Sequence, residues 1–161
     1  MSQLKVNSIT NVSGGSAIYL PGSVVQFVDY KYPSVSDSYT TISGGTAYQT
    51  PISVTITPKF ATSKLVIHAE AQTRTVAGYG TTLGIKRDGT YINGSLNYNS
   101  LDFFYKGDSV NHHKQMIGNT SVIAGSTSAT TFTVWITPYS DTGEWNTGWG
   151  NNYIQVWEIA Q

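Results

Sequence analysis

Apolar and polar residues alternate with a period of two along much of this chain, and almost nowhere with the 3.6-residue period of a helix. Successive side chains of a strand point to opposite faces, so this rhythm commits the chain to strands that lay one face on a core. Ile52, Val54 and Ile56 alternate with Ser53, Thr55 and Thr57 between Pro51 and Pro58. Leu65, Ile67, Ala69 and Ala71 alternate with Val66, His68, Glu70 and Gln72. Phe132, Val134 and Ile136 alternate with Thr131, Thr133, Trp135 and Thr137, after a turn-rich break at 125–128. Further strands are predicted over 23–30 and 153–160, with a weaker one over 114–124. Strands separated by turn residues, about eight in all, define an all-β sandwich or barrel.

Asp88-Gly89 predicts a tight hairpin, because a two-residue type I′ turn needs positive φ at both central positions. The register then pairs Arg87 with Thr90, Lys86 with Tyr91 and Ile85 with Ile92. The isoleucines share one side and the Lys-Tyr pair the other. The last strand is two-faced: Ile154 and Val156 lie on one side, Tyr153, Trp157 and Ile159 on the other. A chain of 161 residues has one core, so only one of these faces meets it. Tyr153, Trp157 and Ile159 are therefore candidate subunit-interface residues.

Composition narrows the function. Charged residues make up 11%, against about 25% in an average domain, and Ser, Thr, Asn and Gly fill the deficit. With 39% hydrophobic residues and zero net charge the chain is expected to fold rather than stay disordered. Nine basic and nine acidic side chains without a basic cluster argue against nucleic acid as a partner. Cysteine is absent, which removes disulfides and thiolate metal sites. No apolar run approaches the roughly 18 to 20 residues of a membrane span, and the start lacks a basic region followed by an apolar one. Neither a membrane anchor nor a signal peptide is expected.

Signatures of catalysis are weak. Asp141-Thr142-Gly143 occurs once, whereas an aspartic protease needs two carboxylates, and after Pro138-Tyr139-Ser140 it reads as a turn. His112-His113 would point to opposite faces of a strand, so a metal site would need repetition about a symmetry axis; a solvated pair is the simpler reading. His68 reads as a surface or interface side chain beside Glu70. Glu70, Glu144, Asp102, Asp108 and Asp141 are the available carboxylates for glycan hydrolysis, and nothing in the sequence pairs them. No nucleophile elbow, phosphate loop or zinc signature is present. We expect no enzyme activity, no metal and no cofactor.

Two segments read as long connections that mix aromatic rings with amides and acids. The first carries Tyr98, Asp102, Phe103, Phe104 and Tyr105; the second carries Trp145, Asn146, Trp149 and Asn151. Flat rings beside amides suit a carbohydrate face, but an end-plug of the sandwich or a subunit contact is the reading they favour. These residues are the candidate ligand contacts.

The N-terminal residues Leu4, Lys5, Val6, Ser8, Ile9, Asn11, Ser13 and Gly14 resemble an opening found in virion structural proteins of tailed bacteriophages, particularly cyanophages. The end of the chain, 152–161, is similar to the final strand of such proteins. The segments 63–67 and 83–90 are similar to the middle of their C-terminal head domain. The resemblance implies a C1q/TNF-like jelly-roll β-sandwich, a homotrimer on the virion surface, and an arm facing the particle. Residues 1–20 are then the arm, hinged at Gly14-Gly15, with Leu4, Val6 and Ile9 as candidate docking residues, and 21–161 the head domain. A tail-fibre-like appendage attaching to a host-surface glycan or protein is the leading expectation. Since 161 residues leave little room for a shaft, capsid decoration is the rival. A free lectin or a glycan-processing enzyme would be the readings without a virus.

Overall fold

The computed structural model describes residues 19–33, 39–75, 80–92, 101–104, 112–139, 142–146 and 150–161. Among these, β1 (Val24–Lys31), β2 (Tyr39–Ile42), β3 (Tyr48–Ile56), β4 (Lys64–Thr75), β5 (Thr81–Arg87) and β6 (Thr90–Tyr91) make up the first half. They are followed by β7 (Asp102–Phe104), β8 (His112–Ile123), β9 (Thr130–Pro138), β10 (Gly143–Asn146) and β11 (Tyr153–Ile159). All pairings are antiparallel and build two sheets. The larger runs β1-β11-β4-β10-β2, with β8 also on β4; the smaller runs β3-β9-β5-β6, with β7 also on β5. β4 makes the larger sheet possible because its 12 residues serve several partners. One edge pairs with β11 over 64–70 and then with β10 over 73–75, while β8 follows the other edge along its whole length.

Without the short β2, β6 and β10, the sheets read β1-β11-β4-β8 and β3-β9-β5-β7. This order, with strands crossing between layers, is the jelly roll. The expected all-β, jelly-roll β-sandwich is the fold.

The alternating positions read from sequence are the ones that meet in the core. Ile52 and Ile56 of β3, Leu65, Ile67, Ala69 and Ala71 of β4, Leu83 and Ile85 of β5, Phe132, Val134 and Ile136 of β9, and Ile154 and Val156 of β11 are essentially inaccessible. The hairpin has the expected register, Lys86 opposite Tyr91 and Arg87 opposite Thr90, with φ of 47° at Asp88 and 86° at Gly89. Its tip is tied to β9: Asp88 accepts from the Thr130 hydroxyl (2.6 Å) and from the Thr131 N–H (2.8 Å). Those bonds, the Thr130 one foremost, hold the Asp88 carboxyl below its ordinary pKa.

Several elements differ from the sequence expectation. The strand read as weak, β8, is among the longest at 12 residues. Segments read as connections contain β7 and β10, and β10 is wedged between β4 and β2. Residues 1–18 of the proposed 1–20 arm, and Asp141 of the Asp-Thr-Gly triplet, lie outside the described residues.

Candidate functional site

The outer face of the larger sheet gathers the side chains that period two turns away from the core. Cross-strand register places Phe27, Trp157, Val66 and Ser121 in one row and Val24, Ile159, Lys64 and Ile123 in the next. Phe27 and Trp157 pack with ring centroids 5.3 Å apart. Val24 is 55% exposed, Phe27 44% and Ile123 56%, so this end of the sheet shows solvent a contiguous apolar and aromatic surface. Two of the candidate interface residues, Trp157 and Ile159, belong to it.

The third, Tyr153, begins a polar cluster further along the same face. Its hydroxyl donates to Glu70 Oε1 (2.6 Å) and lies 2.8 Å from His68 Nε2. His68 Nδ1 meets Asn119 Oδ1 at 2.5 Å. Burial first, and then the bond to Glu70, push the Tyr153 phenol up to about 12, so it remains a donor at neutral pH. Ile117, 43% exposed, flanks the cluster opposite Glu70. His68 lies beside Glu70, as expected, with Nε2 3.2 Å from Oε1.

The candidate ligand residues are placed differently from one another. Trp145 is not in a loop and not at the surface: it lies on β10, 2% exposed, with Tyr32 packed edge-on at 5.1 Å. Its indole N–H donates to Asn152 Oδ1 (3.2 Å), which also accepts the Gln72 N–H. Trp145 is thus a core residue and has no ring face to offer a ligand. The physical reason is register, since Trp145 pairs with Thr73 of β4 and shares its inward orientation. Asp102 is likewise engaged internally. Its carboxylate receives Lys114 Nζ (2.8 Å) and the Ile117 N–H (3.0 Å), and so clamps β7 to β8. Phe103 is 49% exposed, and Phe104 lies near His112 with ring centroids 6.3 Å apart.

Asn151 is exposed, and its backbone is held by the Gln115 side chain, which donates to the Asn151 carbonyl and accepts its N–H. Asn146 contributes the β10 backbone opposite Tyr39. Tyr98, Tyr105 and Trp149, together with the docking candidates Leu4, Val6 and Ile9, lie outside the described residues. Among the described residues of the two segments, Phe103 and Asn151 are exposed, while Trp145 and Asp102 are engaged inside the fold.

Of the other candidate carboxylates, Asp108 and Asp141 lie outside the described residues. Glu144 pairs with Arg74 at 2.5 Å, and Arg74 in turn lies 4.3 Å from the centre of the Tyr39 ring. The bond to Glu144 raises the Arg74 pKa further. Among the described residues no three His, Asp or Glu side chains are grouped to hold a metal ion.

Two features escaped the sequence reading. Glu158, fully buried, accepts the Lys59 N–H (2.9 Å), the Phe60 N–H (3.1 Å) and Gln26 Nε2 (2.7 Å). Burial alone would raise its pKa, but these donors outweigh burial and hold it below the ordinary value. The signal was present, because Glu158 is in phase with Ile154 and Val156 on the inner face. The other feature is Lys86, set between Tyr91 and Trp135 on the outer face of the smaller sheet, with Nζ 4.5 and 3.5 Å from the ring centroids.

The strand order and the two layers define the class: a jelly-roll β-sandwich with an exposed apolar sheet face. No family model and no curated protein matches the chain. Among solved structures it is similar to that of the infectious bursal disease virus Gt strain, with a TM-score of 0.42 and 14% identity, covering 97% of this chain and 43% of that one. The Gx strain structure gives 0.41 and 12%, covering 97% and 42%. The chain thus spans less than half the length of either.

Proposed function

We propose that this chain is a virion structural protein of a tailed bacteriophage, a short homotrimeric, tail-fibre-like appendage that attaches to the host by binding rather than catalysis. One observation carries the reading: β11 is apolar on both sides, and only its inner side meets the core. The two outer rows that hold Phe27, Trp157 and Val66, and Val24 and Ile159, support a contact between copies, since burying exposed apolar surface drives association at about 25 cal/mol per Å². The N-terminal resemblance supports the virion setting and assigns Leu4, Val6 and Ile9 to docking on the particle. Three heads on one appendage, and many appendages on one particle, would make individually weak contacts sufficient for attachment.

Gold-tagged antibody against the head domain, imaged on purified virions, tests the assignment. Label on the tail is the expected result. Label over the capsid would replace attachment by decoration, and unlabelled virions would overturn the virion reading. Sedimentation of the purified protein tests the trimer separately.

A further inference from the structure

The outer face of the smaller sheet differs in chemistry from its counterpart. β3, β5, β6 and β9 contain no Asp or Glu. Their outward positions carry Gln49, Ser53 and Thr55 on β3, Thr131, Thr133 and Trp135 on β9, and Gly84 and Lys86 on β5. Lys86 is the cation at the centre. Its ammonium lies over the Trp135 ring at 3.5 Å and beside the Tyr91 ring at 4.5 Å, which fixes a side chain that is otherwise among the most mobile. Gly84 makes the arrangement possible, because a Cβ there would stand 2.9 Å from Tyr91 Cε1 and lift the ring off the sheet.

This fixed ammonium has no carboxylate partner among the described residues. Asp88, the nearest acid along the chain, is turned to Thr130 and the Thr131 N–H and pairs with Arg87 at 3.8 Å. The neighbouring hydroxyls add donors. Thr133 Oγ1 accepts the Trp135 indole N–H (2.8 Å) and keeps its own proton to give. Thr55 and Thr131 bond each other at 2.8 Å, so one of the two also retains a proton. A strip with a positioned cation, spare hydroxyl donors and no acid among its described residues is complementary to a ligand rich in acceptors and negatively charged.

We propose that this strip, centred on Lys86 with Trp135, Tyr91 and Thr133, is a binding site for the anionic groups of an acidic polysaccharide. The anionic group pairs with the Lys86 ammonium, and the sugar hydroxyls and ring oxygens take the threonine donors. The site is distinct from the aromatic loop segments. It rests on the reading that the protein attaches by binding, and it gives that reading a substrate class.

The test is direct titration of the purified, full-length protein by calorimetry with three probes: oligouronates, sulfated oligosaccharides, and neutral cellohexaose. Binding of one or both anionic probes, weakening with added salt and at least tenfold weaker in Lys86→Gln, is the expected result. Which anionic probe binds tells carboxylate from sulfate as the group recognised. Lys86→Arg should retain binding, and circular dichroism should show both variants folded. Equal binding of cellohexaose, undiminished binding by Lys86→Gln, or silence with both anionic probes would overturn the proposal. Because the titration uses free protein, these failures are separate from a failure of virion labelling.

Discussion

Glu158→Gln is expected to destabilise the domain at neutral pH and to remove one source of its acid sensitivity. The carboxylate bridges the two layers: Lys59 and Phe60 sit in the turn from β3 to β4, and Gln26 belongs to β1 and also donates to the Thr57 carbonyl at 2.7 Å. A glutamine keeps one acceptor oxygen and sets an NH₂ group against backbone and amide donors. Hydrogen bonds to a charged group contribute about 1.5–3 kcal/mol each, and a buried donor left unpaired costs about 1–3 kcal/mol, so a loss of about 2–4 kcal/mol is expected after partial rearrangement. For a domain of this size that lowers Tm by about 5–15 °C. The folded pKa lies below the unfolded one, so the stabilisation is complete above the ordinary carboxyl pKa of 4.5 and is lost as pH falls through the folded value. Thermal unfolding of both proteins at equal concentration, at pH 7 and at about pH 3, should show a wide gap in Tm that narrows in acid. An equal gap at both pH values, or no gap at pH 7, would refute the role of the charge.

Trp145→Ala should cost about 3–5 kcal/mol in urea unfolding, as expected for a large buried side chain and not for a surface contact. Tyr91→Phe should leave stability unchanged or raise it by about 1 kcal/mol, because the Tyr91 hydroxyl is buried without a hydrogen-bond partner among the described residues; a loss larger than that would mean the hydroxyl is satisfied in solution. Phe27→Asp with Trp157→Asp should convert the proposed trimer to monomer in sedimentation, with the circular dichroism spectrum of the fold retained. A double variant that still sediments as an oligomer would place the subunit contact elsewhere.

Alternation carried most of the fold because it reports burial directly. Ile52 to Ile56, Leu65 to Ala71 and Phe132 to Ile136 each placed every second residue in the core, and Asp88-Gly89 fixed a register because only residues tolerant of positive φ suit that turn. β10 was illegible for the converse reason. Four residues, Gly143–Asn146, are too few to show a period, and the amides around Trp145 resemble a loop. The role of Asn152, which satisfies both the Trp145 indole and the Gln72 N–H, depends on a pairing between segments distant in sequence. Glu158 was hidden by residue type, since a carboxylate in the inward phase is read as an exception until its three donors are seen. The Lys86 cradle joins β5, β6 and β9; the hairpin supplied Tyr91, but only the sheet order could supply Trp135.

The two outer faces obey opposite rules, and this bears on how one small domain can serve assembly and recognition together. A jelly roll uses its inner faces for the core, so whatever it does with other molecules falls to the outer faces, the edges and the loops. On the larger sheet the outer phase carries Val24, Phe27, Ile117 and Ile123, all more than 40% exposed. Exposing such side chains to water is unfavourable, and a covering partner relieves the penalty. On β3, β5, β6 and β9 no large apolar side chain reaches that exposure, though Phe103 of the flanking β7 does, and the outer phase carries hydroxyls, amides, the Trp135 and Tyr91 rings and one braced ammonium. Such a surface is stable in water and gains from a ligand only where the ligand matches its donors. Under the proposed attachment role, the first face would be covered by sister copies that stay together and the second by a ligand that binds and leaves.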